Sequence, residues 1–184
     1  MLRLDPDGWL RPARHLPSAN FNQRPAGTPV ELVVIHNISL PPGRFGGGNV
    51  EALFTNTLDS TAHPAFADLE GLRVSAHLFI DRRGRLTQFV SLHDRAWHAG
   101  LSAWCGRENC NDFSIGIELE GTDTRPYTQR QYQRLARLIR LLWHHFPKLG
   151  ADSIVGHCDI APGRKSDPGP AFDWSRLHQL LEAS

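Results

Sequence analysis

The chain has 184 residues, 40% of them apolar and 21% charged, a balance that suits one globular domain with a sizeable core and excludes disorder as the main state. Lysine and arginine number 20 against 19 acids, and the net charge of +1 excludes a general electrostatic pull toward nucleic acid or an anionic membrane. The 3 cysteines (Cys105, Cys110 and Cys158) are too few for a disulfide framework, and no apolar run approaches the roughly 20 residues of a membrane helix.

In chain order, the N-terminal stretch MLRLDPDGWLRPARHLP mixes acids, prolines and arginines and has no apolar export core, so a cytoplasmic protein is expected. Residues 30–36 (VELVVIH) read as a buried strand whose β-branched run ends on His36. The Gly/Pro-rich stretch 39–48 is a loop, and Asn49 stands where it can cap a short helix over 50–58. Residues 73–80 (RVSAHLFI) and 85–90 (RLTQFV) read as a hairpin around Asp81-Arg82-Arg83-Gly84. The segment 113–120 (FSIGIELE) alternates: Phe113, Ile115, Ile117 and Leu119 face one way, Ser114, Gly116, Glu118 and Glu120 the other. Thr128, with Gln131 three residues on, forms a capping box that opens the best helix. Its apolar positions Tyr132, Leu135, Ala136, Ile139, Leu142, Trp143 and Phe146 follow the helical period until Pro147 stops it. After a second Gly/Pro-rich stretch, 161–170, Asp173 caps a helix over 174–182. With no repeat or linker, residues 1–184 read as a single domain of the α/β or α+β class, helices covering a sheet.

Ten histidines invite a search for chemistry. His15, His144, His145 and His178 fall in loop or helix-surface contexts and read as ordinary solvated or core-edge rings. His36 differs, because side chains at a strand end emerge at the rim of a sheet. The segment GHCDIAPGRKSDPGP over 156–170 is denser: it offers His157, Cys158, Asp159, Lys165 and Asp167 on a chain that Pro162, Pro168 and Pro170 keep from regular helix. Lys165 and Asp167, two apart on an extended stretch, project to one side. Zinc accepts imidazole, thiolate and carboxylate ligands, and a catalytic site uses three from the protein. Cys158, Asp159 and Asp167 are all admissible partners for His157, and spacing does not choose among them. Glu118 has two readings: a carboxylate on an inner strand in use beside the room left by Gly116, or a member of a polar face that meets water. Arginine is the default cation of this chain, so a lysine at 165 asks for a reason; a compact cation near a metal can stabilise a developing oxyanion. A Cys158–His157 nucleophile pair is disfavoured, because neighbours on an extended chain point apart, and no GxSxG, GxGxxG or Walker loop is present.

The stretches VVIHNISLPPGRFGG, SAHLFIDRRGRLTQFV, RAWHAGLSAW, RENCNDFSIGIELEGTD, YTQRQYQRL and GHCDIAPGRKSDPGPAFDW run in order over nearly the whole chain. Together they closely resemble the zinc-dependent N-acetylmuramoyl-L-alanine amidases of type 2, and within them the cytoplasmic anhydromuramyl-peptide amidases of cell-wall recycling. The resemblance implies an α/β fold with a central mixed β-sheet flanked by helices, as in peptidoglycan recognition proteins. It implies Zn²⁺ held by His36, His157 and Asp167, with Glu118 and Lys165 catalytic. By the same likeness Arg73, Arg107 and Arg164 match positions that hold the carboxylates of the stem peptide, and Asn37, Trp97 and His98 match pocket-lining positions. The implied partner is a muropeptide, with no nucleic acid or membrane, and the implied state a monomer. Two other readings share the fold: an amidase of intact peptidoglycan, and a non-catalytic peptidoglycan-binding module, which typically lacks part of this residue set. The 39–48 loop, directly after His36, is placed to move over a bound sugar or to be a surface loop without that role.

Overall fold

A computed structural model describes residues 2–183. The apolar run expected near residue 30 forms β2, Leu32–Ile38, and the alternating segment forms β5, Ser114–Glu120. These two strands pair in parallel over their whole length, from Ser114 opposite Leu32 to Glu120 opposite Ile38. The expected bounds of 30–36 shift because Pro29 and Val30 precede the ladder and the register with β5 carries pairing through Asn37 and Ile38. Around this pair the six-stranded sheet adds β1 (Arg14–His15), β3 (Leu78–Ile80), β4 (Leu86–Gln88) and β6 (Ile154–Gly156) in the order β6-β2-β5-β3-β4-β1. Only the β3–β4 pair is antiparallel, so the sheet is mixed.

The hairpin is shorter than the expected 73–80 and 85–90. Before β3 begins, side chains interrupt the ladder: Trp97 N–H donates to Ser75 Oγ at 3.0 Å and Gly116 N–H donates to His77 Nδ1 at 3.0 Å, while the Ser75 and His77 N–H groups still donate to the Trp97 and Gly116 carbonyls. The turn itself is as expected, with Gly84 N–H donating to the Asp81 carbonyl at 2.8 Å.

Among the described residues four α-helices join the sheet: α1 (Asn49–Phe54), α2 (Gln129–His145), α3 (His157–Ile160) and α4 (Trp174–Glu182). In α2 both arms of the capping box are present: Gln131 N–H donates to Thr128 Oγ1 at 3.2 Å, and Thr128 N–H to Gln131 Oε1 at 3.0 Å. Asp173 caps α4 through Arg176 N–H. The first helix departs from expectation. Gly48, not Asn49, is its cap residue, and Asn49 sits inside it, spending its amide on the Leu40 carbonyl at 3.1 Å. It also stops early, before Asn56 turns left-handed at φ 59°. The prolines after residue 161 do not prevent one helical turn, α3, ahead of them.

The two faces of the sheet do different work. Val33, Ile35, Ile115, Ile117 and Leu119 point to one side and form a core with Tyr132, Leu135, Ile139 and Leu142 of α2 and Leu177 and Leu181 of α4. Each such burial contributes about 1.5–3 kcal/mol. Leu32 and Val34 point to the other side, against Phe113, Val155 and Ile160. By the same alternation His36, Ser114, Gly116 and Glu118 open on that second face, away from α2. The polar face of β5 does not meet water: every residue of the strand is buried.

Candidate metal centre and its cleft

Register brings His36 and Glu118 side by side, since they are Cα partners on adjacent parallel strands. The turn after β6 delivers His157, and the Gly/Pro-rich loop beyond it delivers Asp167. Cys158 N–H donates to the Asp167 carbonyl at 2.9 Å, and Tyr127 Oη donates to the Pro168 carbonyl at 2.8 Å, so that loop is tied at the aspartate and at the residue after it. Gly169 is required for the approach: a Cβ there would lie 2.2 Å from Asp123 Cα, and its φ is +76°.

The three donor atoms form a small triangle. His36 Nδ1 lies 3.0 Å from His157 Nδ1 and 3.0 Å from Asp167 Oδ2, and His157 Nδ1 lies 3.1 Å from Asp167 Oδ2. Zinc bonds of roughly 2.0–2.1 Å in tetrahedral array set ligand atoms roughly 3.3 Å apart, so the triangle fits that ion. Two imidazole nitrogens and a carboxylate are also its usual donors, and three protein ligands are the number a catalytic site keeps. The other neighbours of His157 are turned elsewhere: Asp159 Oδ2 accepts Gly156 N–H at 2.7 Å, and the Cys158 thiol faces Asp159. Burial raises the Cys158 thiol pKa, which makes it a poor nucleophile.

Each ring nitrogen turned away from the triangle has a partner. His157 Nε2 meets the Ala99 carbonyl at 3.0 Å, and His36 Nε2 meets His98 Nδ1 at 2.9 Å. Burial pushes His36 down to about 4, outweighing the pull of Asp167. Burial would raise Asp167, but its close contacts with the His157 and His36 rings outweigh it and hold the carboxyl well below the usual range. Glu118 shows the opposite balance. Burial first, then the charge of Asp167, pushes its carboxyl well above the usual range against the pull of Lys165, and its Oε2 has no hydrogen-bond partner.

A cavity of about 270 Å³ opens over these groups, and His36, Asn37, Trp97, His98, Glu118, His157, Lys165 and Asp167 all line it. A larger hollow of about 770 Å³ lies on the outer side of α2, but its lining holds no carboxylate or thiol. Asn37 is held by Asp123 at 2.7 Å and Trp97 Nε1 donates to Asn22 at 2.7 Å, so both walls are braced. The three arginines lie outside this cavity. Arg73 lines an adjoining hollow that shares Leu53, Leu69 and Leu72 with it. Arg107 pairs with Glu31 at 2.7 Å and lies over Phe113, while Arg164 donates to the Ala99 and Leu101 carbonyls at 2.7 and 2.6 Å. The 39–48 loop is fastened: Glu120 accepts Gly46 N–H, and Phe45 lies 4.9 and 4.8 Å from the guanidiniums of Arg82 and Arg125.

The N-acetylmuramoyl-L-alanine amidase family, Amidase_2, matches residues 26–170. The chain belongs to this family. Within it, the 1,6-anhydro-N-acetylmuramyl-L-alanine amidase AmpD of Escherichia coli (strain K12) is 57% identical over 174 residues, 95% of this chain and 94% of that one. A crystal structure of a selenomethionine derivative of AmpD matches with a TM-score of 0.94 at 55% identity, covering 97% of this chain and 98% of that chain. AmpDh3 from Pseudomonas aeruginosa, solved in complex with anhydromuramic pentapeptide, matches with a TM-score of 0.65 at 31% identity, covering 85% of this chain and 61% of that one. The chain is thus an AmpD-type member of the amidase family.

Sequence reasoning passed over several residues that shape this amidase site. His77 is fully buried and orients Gly116; Asp123 holds Asn37; Tyr127 holds the Pro168 carbonyl. Ser114 was on the legible polar face of β5, but its partner lies 16 residues away in sequence, where no periodicity points. The room left by Gly116 is taken by a protein ring and not by a ligand, since a Cβ at that position would lie 2.4 Å from His98.

Proposed function

We propose that this amidase hydrolyses the amide between the lactyl carboxyl of an anhydro-N-acetylmuramic sugar and the L-alanine of its stem peptide, with zinc, in cytoplasmic cell-wall recycling. The observation that carries the reading is the triangle of His36, His157 and Asp167 donors beside the buried Glu118 carboxyl, whose Oε2 has no hydrogen-bond partner. Kinship to AmpD enzymes supports the substrate class. Among the described residues no helix is long and apolar enough to cross a membrane.

His36, His157 and Asp167 hold the ion, which when bound supplies Lewis acidity that makes water acidic enough to ionise near neutral pH and polarises the scissile carbonyl. Glu118 takes one proton of the attacking water as general base and returns it to the leaving amine of L-alanine; the water's second proton stays on the new lactyl carboxyl and passes to the released amine or to solvent as that acid ionises. Lys165, on the same cavity wall, places its ammonium toward the oxygen that gains charge as the carbonyl becomes tetrahedral. Asn37 and Trp97, each held by a neighbour, offer a fixed wall for the substrate. Arg73, in the adjoining hollow, is positioned to meet a peptide carboxylate. Arg107 and Arg164 reach one only by giving up the partners described above.

The complete set of ion-holding and proton-moving residues favours an enzyme over a binding module. Incubation with a defined anhydromuramyl-tripeptide and with intact sacculi, read by mass spectrometry, tests the assignment. Release of free peptide from the small substrate, in preference to the polymer, is expected. Preference for sacculi would make this a wall amidase, and no cleavage of either would leave a binding module.

A further inference from the structure

We infer that His98 and Ser114 are positioning residues that fix which nitrogen of His36 is free to hold the metal, through a hydrogen-bond relay ending on the Cys110 carbonyl. The inference rests on the metal-centre reading above and gives His98 work beyond lining the substrate cavity.

The direction of the relay follows from its far end. A carbonyl only accepts, and Ser114 Oγ lies 2.5 Å from the Cys110 carbonyl oxygen, a separation two oxygens tolerate only with a proton between them. The hydroxyl therefore donates there and turns a lone pair to His98 Nε2, 3.1 Å away. His98 then carries its proton on Nε2, which leaves Nδ1 bare to accept from His36 Nε2–H at 2.9 Å. With its proton on Nε2, His36 presents a bare Nδ1 to the triangle it forms with His157 and Asp167. The reversed relay puts a proton on His36 Nδ1, donating to Asp167 at the place an ion needs. It also turns the Ser114 hydroxyl to His98 and leaves two unprotonated oxygens 2.5 Å apart.

The other imidazole needs no such relay. His157 Nε2 faces the backbone carbonyl of Ala99, an acceptor that no side-chain replacement removes. The tautomer of His36 is thus the one that depends on side chains. Gly116 belongs to the same device, because the His98 ring occupies the volume a Cβ at 116 would fill. One polar strand face supplies the relay at Ser114, its room at Gly116 and the base at Glu118. Losing a group that orients a metal-bound histidine typically lowers metal affinity or activity 10–100-fold.

Long-range proton–nitrogen spectra of the histidine rings in the zinc-loaded protein test the relay directly. His98 is expected with its single ring proton on Nε2 and His36 with its proton on Nε2; a proton on His98 Nδ1 overturns the inference. Competition with a chelator reads the consequence. Ser114→Ala is expected to weaken zinc binding about 10–100-fold and Ser114→Thr, which keeps the hydroxyl, to restore it. Unchanged affinity in a folded Ser114→Ala protein also overturns it. Should that variant fail to fold, the wild-type spectrum still decides. Should the wild type bind no zinc, the metal-centre reading falls by itself, while the ring spectrum of the zinc-free protein still settles the tautomer.

Discussion

Glu118 carries the most demanding requirement on any single residue. A base must be ionised, yet burial and the charge of Asp167 hold this carboxyl toward its protonated form. A cation held by His36, His157 and Asp167 offsets both effects, so base and metal depend on each other. Glu118→Gln is expected to keep zinc, read by metal analysis, while turnover falls about 10²–10⁴-fold; retained turnover would remove the base assignment. In the metal-free protein, carboxyl carbon shifts followed against pH should show Glu118 ionising above the ordinary carboxylate range; ionisation inside that range would contradict the buried, unpaired carboxyl. Lys165→Ala is expected to lower kcat about 10²–10³-fold with a smaller change in KM. A rise in KM alone would make Lys165 a substrate clamp.

At the scale of elements, the seven-residue β5 does two jobs, its apolar face building the core with α2 and its polar face the site. Gly116→Ala, on the site face, should displace the His98 ring and weaken zinc binding while leaving the α2 core intact; zinc affinity and helical circular dichroism together check this. These two strands and α2 were legible because their patterns are local: a β-branched run, a period of two, and a capping box with a helical period. The metal ligands are a different matter. Spacing left Cys158, Asp159 and Asp167 equal beside His157, and only resemblance chose among them, because the choice depends on how the loop after α3 folds back onto β2. The broken strand at 73–77 and the relay through Ser114 were unreadable for the same reason. In both, a side chain meets a partner that is distant in sequence.

The whole molecule buries uncharged imidazoles, and this ties its stability to pH. Burial, then the charge of Arg24, pushes His77 down to about 3, whereas an unfolded histidine titrates near 6.5. As pH falls below about 6.5 the unfolded chain binds a proton that the native chain refuses, so stability is full above that pH and lost toward 3. The slope is about 1.4 kcal/mol per pH unit for each such group. Urea unfolding of the zinc-free protein between neutral pH and about pH 5 should show that decline; constant stability over the range would contradict the buried neutral ring.

The metal is the point on which the site, the relay and the reaction all converge. Titrating zinc into chelated protein while following anhydromuramyl-peptide hydrolysis tests it most directly. Activity should be absent at the start, rise linearly and break at one ion per chain. Full hydrolysis in the chelated protein, or zinc uptake that persists after His36, His157 and Asp167 are replaced by alanine, would contradict the account.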